Sequence, residues 1–106
     1  MKLYQKIMAR FAPSNAKVTD GLYIYGMAKA YTFVQALKAA GPNPTRAGLL
    51  KAVFNMNDKT NPFLLPGVVT KTGPNDYFPI SQNNLIKFNN GLWSPVGKLV
   101  DTRPRG

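Results

Sequence analysis

The sequence of 106 residues contains no cysteine, no histidine and no glutamate. Without cysteine, disulfides and thiolate nucleophiles are excluded; without histidine as well, zinc-finger sites and histidine bases are excluded. The only side-chain carboxylates are four aspartates, which stand too far apart in the sequence for any two to share one helix face. The sequence also lacks a P-loop and a GxGxxG motif. We therefore expect no enzyme, no catalytic residue, no metal site and no cofactor.

A long apolar run is missing too. No stretch approaches the roughly 18 apolar residues of a membrane helix. The first segment, MKLYQKIMARFAPS, does not fit a secretory signal peptide, because Lys2, Gln5, Lys6 and Arg10 interrupt its apolar residues. Taken as written, the chain is expected to stay in the cytoplasm.

Negative charge is scarce, since 14 Lys and Arg oppose 4 Asp and give a formal net charge of +10. Such an excess favours a polyanionic partner such as nucleic acid or a membrane surface. It is also compatible with a solvated surface, or with a segment of a longer chain that carries the balancing acids. The basic residues are scattered, and only the tail DTRPRG places two arginines close together. A small basic nucleic-acid-associated protein is therefore the alternative hypothesis, not the first.

Three segments place apolar residues at helical spacing. The first covers residues 2–12 and ends before Pro13. The second covers residues 20–41, where Thr19 or Asp20 is a suitable N-cap and Gly41, followed by proline, is a strong stop. Its apolar arc is broad, which is typical of a helix that lies on a sheet under neighbouring elements.

The third helical segment covers residues 43–57. Asn43 can cap this helix, and Pro44 then fits its first position. Its apolar residues form a shorter stripe than those of the second segment, and Gly48 weakens it slightly.

After residue 57 the pattern favours strands. Residues 68–71 predict a short strand, and Asn90-Gly91 predicts a type I′ hairpin turn between two apolar segments. Pro95 makes the second hairpin strand an edge or a broken strand, and Trp93 is expected to pack across the hairpin. Three helices followed by a short strand and a hairpin define an α+β fragment, which an α/β domain would also yield. Residues 1–106 are thus predicted to form a single partial domain.

The candidate ligand-binding residues are Tyr23 and Tyr25, at the start of the second helix. Tyrosine there can present a ring and a hydroxyl to a ligand, and helix N-termini favour carboxylates. The alternative is that one ring joins the core and the other faces solvent.

The order of these segments resembles the C-terminal third of type I periplasmic substrate-binding proteins of the branched-chain amino acid ABC transporter family. The resemblance covers roughly residues 1–100. It rests on YQKIMARFAPSNAKVTD, on GLYIYGMAKAYTFVQALKAAGPNPTRAGLLKAV with its AAG ending, and on PGVVTKTGPNDYFPISQNNLIKFNNGLWSPVG.

The resemblance implies an α/β fold, in which the helices cover the sheet of one lobe of a two-lobed periplasmic receptor. It implies capture of a small amino acid, amide or related solute and its delivery to an ABC permease in the membrane. Tyr23 and Tyr25 would then lie near the cleft. Taken alone, the segment would expose its sheet-facing helix, so a homo-oligomer is expected. A structural adaptor that docks a partner through this helix is a third hypothesis.

Overall fold

The computed structural model describes residues 2–103. The elements are α1 (Lys2–Phe11), α2 (Gly21–Ala40), α3 (Arg46–Val53), β1 (Asn57–Asp58), β2 (Thr70–Lys71), β3 (Gln82–Asn89) and β4 (Leu92–Asp101). Within the described residues, β1 pairs antiparallel with β2 and β3 pairs antiparallel with β4, so the strands form two separate two-stranded sheets. This mixed helix-and-sheet architecture agrees with the α+β prediction at a coarse level.

Helix α1 begins at Lys2 as predicted, ends at Phe11, one residue before its predicted end, and buries part of its apolar stripe. Tyr4 and Met8 are buried, whereas Phe11 is 70% exposed. The Tyr4 hydroxyl donates a hydrogen bond of 2.7 Å to the carbonyl of Val18, in the link before α2. The buried part of the stripe therefore holds α1 against this link, and the part that contains Phe11 is exposed to solvent.

Helix α2 begins and ends as predicted. The carboxylate of Asp20 accepts a hydrogen bond of 2.9 Å from the Leu22 N–H, which is the bond of an N-cap. Gly41 follows the last helical residue with φ of 92°, a conformation that favours glycine.

The predicted start of α3 was wrong. Thr45, not Asn43, is the N-cap, because its hydroxyl accepts a hydrogen bond of 3.0 Å from the Gly48 N–H. The helix therefore begins at Arg46, and Pro44 precedes the cap instead of occupying the first helical position. Proline also disfavours helical geometry in the residue before it, which here is Asn43.

The hairpin prediction is confirmed. Asn90 and Gly91 have φ values of 49° and 79°, as a type I′ turn requires. Trp93 stands opposite Phe88 in the register, with ring centroids 5.0 Å apart, so its predicted cross-strand packing is also confirmed.

Replacing Gly91 with alanine is expected to destabilise the hairpin by about 1–2 kcal/mol, because a β-carbon is strained at this positive φ. Trp93 is the only tryptophan, so its fluorescence during urea unfolding reports the loss. Gly26→Ala is the matched control: Gly26 lies inside α2, and an added β-carbon would have no atom within 4 Å, so about 0.5–1 kcal/mol of stabilisation is expected. Equal effects at both glycines would contradict the turn assignment.

The fold is flat and its core is small. The principal extents are 49 × 41 × 18 Å, and the radius of gyration is 16.3 Å, against about 13 Å for a compact chain of this length. The accessible surface of 8598 Å² exceeds by about 2,700 Å² the area of about 5,900 Å² usual for this mass. Much apolar surface is therefore uncovered. The buried apolar residues are Tyr4, Met8, Ala28, Ala36 and Met56.

Candidate functional site

The two candidate tyrosines lie on different sides of α2. Residues two positions apart in an α-helix are separated by about 200° around the helix axis. Tyr23 and Tyr25 therefore point in nearly opposite directions. Tyr23 is half-buried, and Tyr25 is 58% exposed. The two residues therefore do not form one surface, and Tyr25 is the one that lines an open groove.

The N-terminus of α2 already has a carboxylate bound to it. The Asp20 side chain accepts a hydrogen bond from the Leu22 N–H. Its main-chain carbonyl accepts another, of 3.2 Å, from the Tyr23 N–H. A ligand carboxylate would have to compete with this cap. The helix end is thus a weaker candidate for binding than the groove beside it.

The α2 groove is an apolar depression of about 340 Å³ along the exposed side of α2. Among the described residues that line it, Lys29 is the only charged one. Such a site suits an apolar group with at most one negative charge at its margin. The contributors used below are Tyr25, Lys29 and Phe33 from α2, Thr70 from β2, and Tyr77 and Ile80 from the segment before β3.

Tyr25, Lys29 and Phe33 follow one another at intervals of four residues, so they share one side of α2. The Lys29 ammonium lies 4.5 Å from the centroid of the Tyr25 ring, a cation–π distance. This contact holds the ammonium close to the groove, where it could also attract a carboxylate. The spacing is visible in the sequence, but there it cannot be told apart from the packing stripe of a covered helix.

Hydrogen bonds from the loop after β1 hold α2 at positions that border the groove. The Asn61 amide donates to the carbonyl of Ala28 at 3.0 Å and to the hydroxyl of Thr32 at 3.2 Å. The Thr32 hydroxyl itself donates to the Ala28 carbonyl at 3.0 Å. Since Ala28 and Thr32 line the groove, Asn61 anchors the loop beside it.

Tyr77, in the segment before β3, packs against an aromatic residue that is distant in the sequence. The rings of Phe54 and Tyr77 lie 5.1 Å apart with their planes tilted by 58°. This pair joins the end of α3 to the segment that precedes β3. The groove is therefore assembled from α2 and from residues about 20 to 50 positions further along the chain.

The loop TGPND, residues 72–76, forms a turn, and its Asp76 carboxylate has local partners. Gly73 and Asp76 exchange main-chain hydrogen bonds of 2.9 and 3.2 Å, and the Asp76 side chain accepts one of 3.1 Å from the Phe78 N–H. Arg103 Nε lies 2.9 Å from Asp76 Oδ2, but it makes no hydrogen bond, so the attraction is electrostatic. Residues 72–76 therefore form a turn that main-chain and side-chain hydrogen bonds close.

Asp101, at the end of β4, has a pKa below its usual value. The main cause is the hydrogen bond that its carboxylate accepts from the Arg103 N–H, at 3.0 Å. Desolvation raises the pKa and partly offsets this effect. The hydrogen bond from the Ser81 hydroxyl and the positive charges of Arg103 and Lys71 lower the pKa further. Because the folded pKa is the lower one, this carboxylate stabilises the fold above the unfolded pKa, and the contribution is lost as the pH falls through the folded value.

Replacing Ser81 with alanine is therefore expected to raise the pKa of Asp101 towards its ordinary value. The titration of the carboxyl carbon by NMR measures this change. Ser94→Ala on β4 is the control, because the Ser94 side chain makes no hydrogen bond within residues 2–103. An unchanged pKa in the Ser81 variant would remove the hydroxyl from the causes.

Between residues 2 and 103, no group of three or more acidic side chains is placed to hold a metal ion. Over the same residues, no helix combines the length and the apolar character needed to cross a membrane.

Comparisons with known proteins leave the resemblance without independent support. A scan against protein-family models gave no match, and searches among curated proteins and solved structures gave no significant match either.

Proposed function

We propose that this chain is the C-terminal part of a type I periplasmic substrate-binding protein. The receptor would capture a small amino acid, amide or related solute and deliver it to an ABC permease. The observation that carries the proposal is the uncovered side of α2. In the second half of this helix of 20 residues, Phe33 is 52% and Val34 is 44% exposed, in a chain with about 2,700 Å² of excess surface. This is what a helix that covers a lobe's sheet presents when the sheet is absent.

The chemistry of the α2 groove is compatible with such a solute. An apolar lining accommodates an aliphatic or aromatic side chain, and Lys29 beside Tyr25 offers one positive charge for a carboxylate. Tyr25 lies near the start of α2, where the resemblance places the cleft, so in the full receptor it would stand at the edge of the missing sheet. It is therefore the better candidate ligand contact of the two tyrosines. Tyr23 would contribute only from the opposite side of α2.

The proposal is tested first by reading the coding sequence in frame before the Met1 codon. An open frame long enough for a second lobe, beginning with a signal peptide, would support it. A stop codon and a ribosome-binding site just upstream would contradict it.

The binding role is tested by calorimetry on the full in-frame product with leucine, phenylalanine and a short aliphatic amide. We expect Tyr25→Ala to weaken binding by about tenfold, which corresponds to loss of an aromatic contact, and Tyr25→Phe to change it little. The control is Tyr4→Phe, because the Tyr4 hydroxyl bonds to Val18 away from the groove. Equal affinity in the wild type and in Tyr25→Ala would remove Tyr25 from the site.

A second candidate, binding to a nucleic acid, is favoured by one observation. Lys2, Lys6 and Arg10 recur every four residues, so they form an exposed basic stripe along α1. Binding to single-stranded or duplex DNA should then be tight at low salt and fall steeply as the salt concentration rises. Elution from heparin without retention at moderate salt would contradict this candidate.

A further inference from the structure

The β3–β4 hairpin projects from the rest of the fold as an arm. Its base is tied down, since the Thr102 N–H donates to the Ser81 carbonyl at 2.9 Å and the Val69 N–H donates to the Gln82 side chain at 2.7 Å. Beyond this base, no hydrogen bond within residues 2–103 joins residues 84–98 to another element. An isolated two-stranded hairpin is only marginally stable in water, so this arm needs a further contact.

One face of the arm is apolar. In the register, Phe88 stands opposite Trp93 and Ile86 stands opposite Pro95; since residues two positions apart share a face, these four side chains lie together. We call them the hairpin face. All four are exposed, Trp93 to 65%. No member carries a charge, although the chain as a whole has a net charge of +10.

We propose that the hairpin face of one copy packs into the α2 groove of a second copy, and that the exchange is reciprocal about a twofold axis. The inference concerns the chain by itself and does not rest on the proposed function. Two uncovered apolar features of the same chain would then cover each other. A reciprocal contact of this kind is closed, so it yields a dimer and no larger assembly.

The hairpin face is shorter than the groove and fits within it. Two positions along a strand, from Ile86 to Phe88, extend about 7 Å. The stretch of α2 from Tyr25 to Ala36, which lines the groove, rises about 17 Å. The four side chains of the hairpin face can therefore lie inside the groove, although they do not fill its length.

The area to be covered also favours exchange. A stable interface removes about 800 Å² from each partner, whereas this chain has about 2,700 Å² of excess surface. Contact between two hairpin faces alone would leave both grooves open. Exchange covers a hairpin face and a groove in each copy, which accounts for more of the excess.

The distribution of charge selects a second copy over an acidic partner. Lys29 is the only charged residue of the groove within the described part of the chain, and the hairpin face has none. An acidic partner would be attracted to the basic residues elsewhere and would leave these apolar features uncovered. Two copies repel each other through their net charges, so their association should become tighter as salt screens the repulsion.

Sedimentation of the whole chain between about 1 and 100 µM measures the association. We expect a species of twice the 11.7 kDa monomer mass and a lower dissociation constant at 500 mM than at 50 mM salt. Trp93→Glu should raise the dissociation constant at least tenfold. The matched control Phe11→Glu, which changes an exposed aromatic residue of α1 outside both features, should leave it unchanged. A monomer at every concentration, or association that weakens with salt, would overturn the proposal.

Crosslinking decides the geometry, and it keeps the test valid if Trp93→Glu fails to fold. The chain has no cysteine, so Phe33→Cys and Trp93→Cys variants each contain one thiol. Oxidation of an equal mixture should give mainly the disulfide between a Phe33→Cys chain and a Trp93→Cys chain. If Trp93→Cys homodimers predominate, the hairpin faces contact each other and the exchange is overturned. If the yield of disulfide does not exceed that of a Phe11→Cys control, the dimer itself is overturned.

Discussion

Replacing Met8 with alanine is expected to destabilise the protein by about 2–4 kcal/mol, the range for removing a buried Met side chain. Met8 is 5% exposed and is one of only two buried residues of α1. The other is Tyr4, whose hydroxyl holds the helix to Val18. With so small a core, we expect the ten residues of α1 to lose their helical structure first. Circular dichroism and amide hydrogen exchange measure this loss.

The matched control is Phe11→Ala, on the same helix. Phe11 is a larger apolar residue than Met8 and belongs to the same predicted stripe, but it is exposed. We therefore expect an effect within about 0.5 kcal/mol, as at other surface positions. Equal losses from the two variants would mean that α1 buries a different side from the one described.

The parts of the fold that the sequence predicted correctly are those fixed by neighbouring residues. Asp20 caps α2 because its side chain reaches an N–H two positions away, and Gly41 ends the helix through its own φ. Asn90 and Gly91 define the hairpin in the same local way. Patterns of three or four residues contain enough information for such features.

The errors and omissions have two physical origins. Asn43 and Thr45 are both suitable caps, and the choice between them depends on which side chain reaches a helical N–H. Strand β1 was missed and β2 was shorter than predicted, because Asn57 pairs with Lys71 and Asp58 pairs with Thr70, so that each pairing joins residues distant in the sequence. A short strand formed by such a pairing leaves almost no periodic pattern in the sequence.

The candidate site was only partly predictable for the same reason. Tyr25 was named from its place in α2, but the groove it lines is completed by Thr70, Tyr77 and Ile80, which follow much later. No spacing rule joins these segments in the sequence. The broad apolar arc of α2 is predictable, and the uncovered side of that helix is the basis of both proposals.

Two threonines on either side of Lys71 provide the sharpest test of how the groove is held. Thr72 joins β2 to the end of α3: its hydroxyl donates to the Val53 carbonyl and accepts a hydrogen bond of 3.0 Å from the Met56 N–H. Thr72→Val keeps the shape of the side chain and leaves both main-chain groups without this partner. An unpaired buried polar group costs about 1–3 kcal/mol, so we expect a loss of about 2–3 kcal/mol.

Thr70→Val should have the opposite sign. Thr70 is 1% exposed, and its hydroxyl oxygen makes no hydrogen bond within the described residues. Valine removes that buried polar atom at nearly constant volume, so we expect about 1 kcal/mol of stabilisation. Urea unfolding of the two variants under the same conditions measures both effects. Destabilisation by Thr70→Val as large as that by Thr72→Val would show that the Thr70 hydroxyl has a partner, and the interior beside the groove would then be more polar than described.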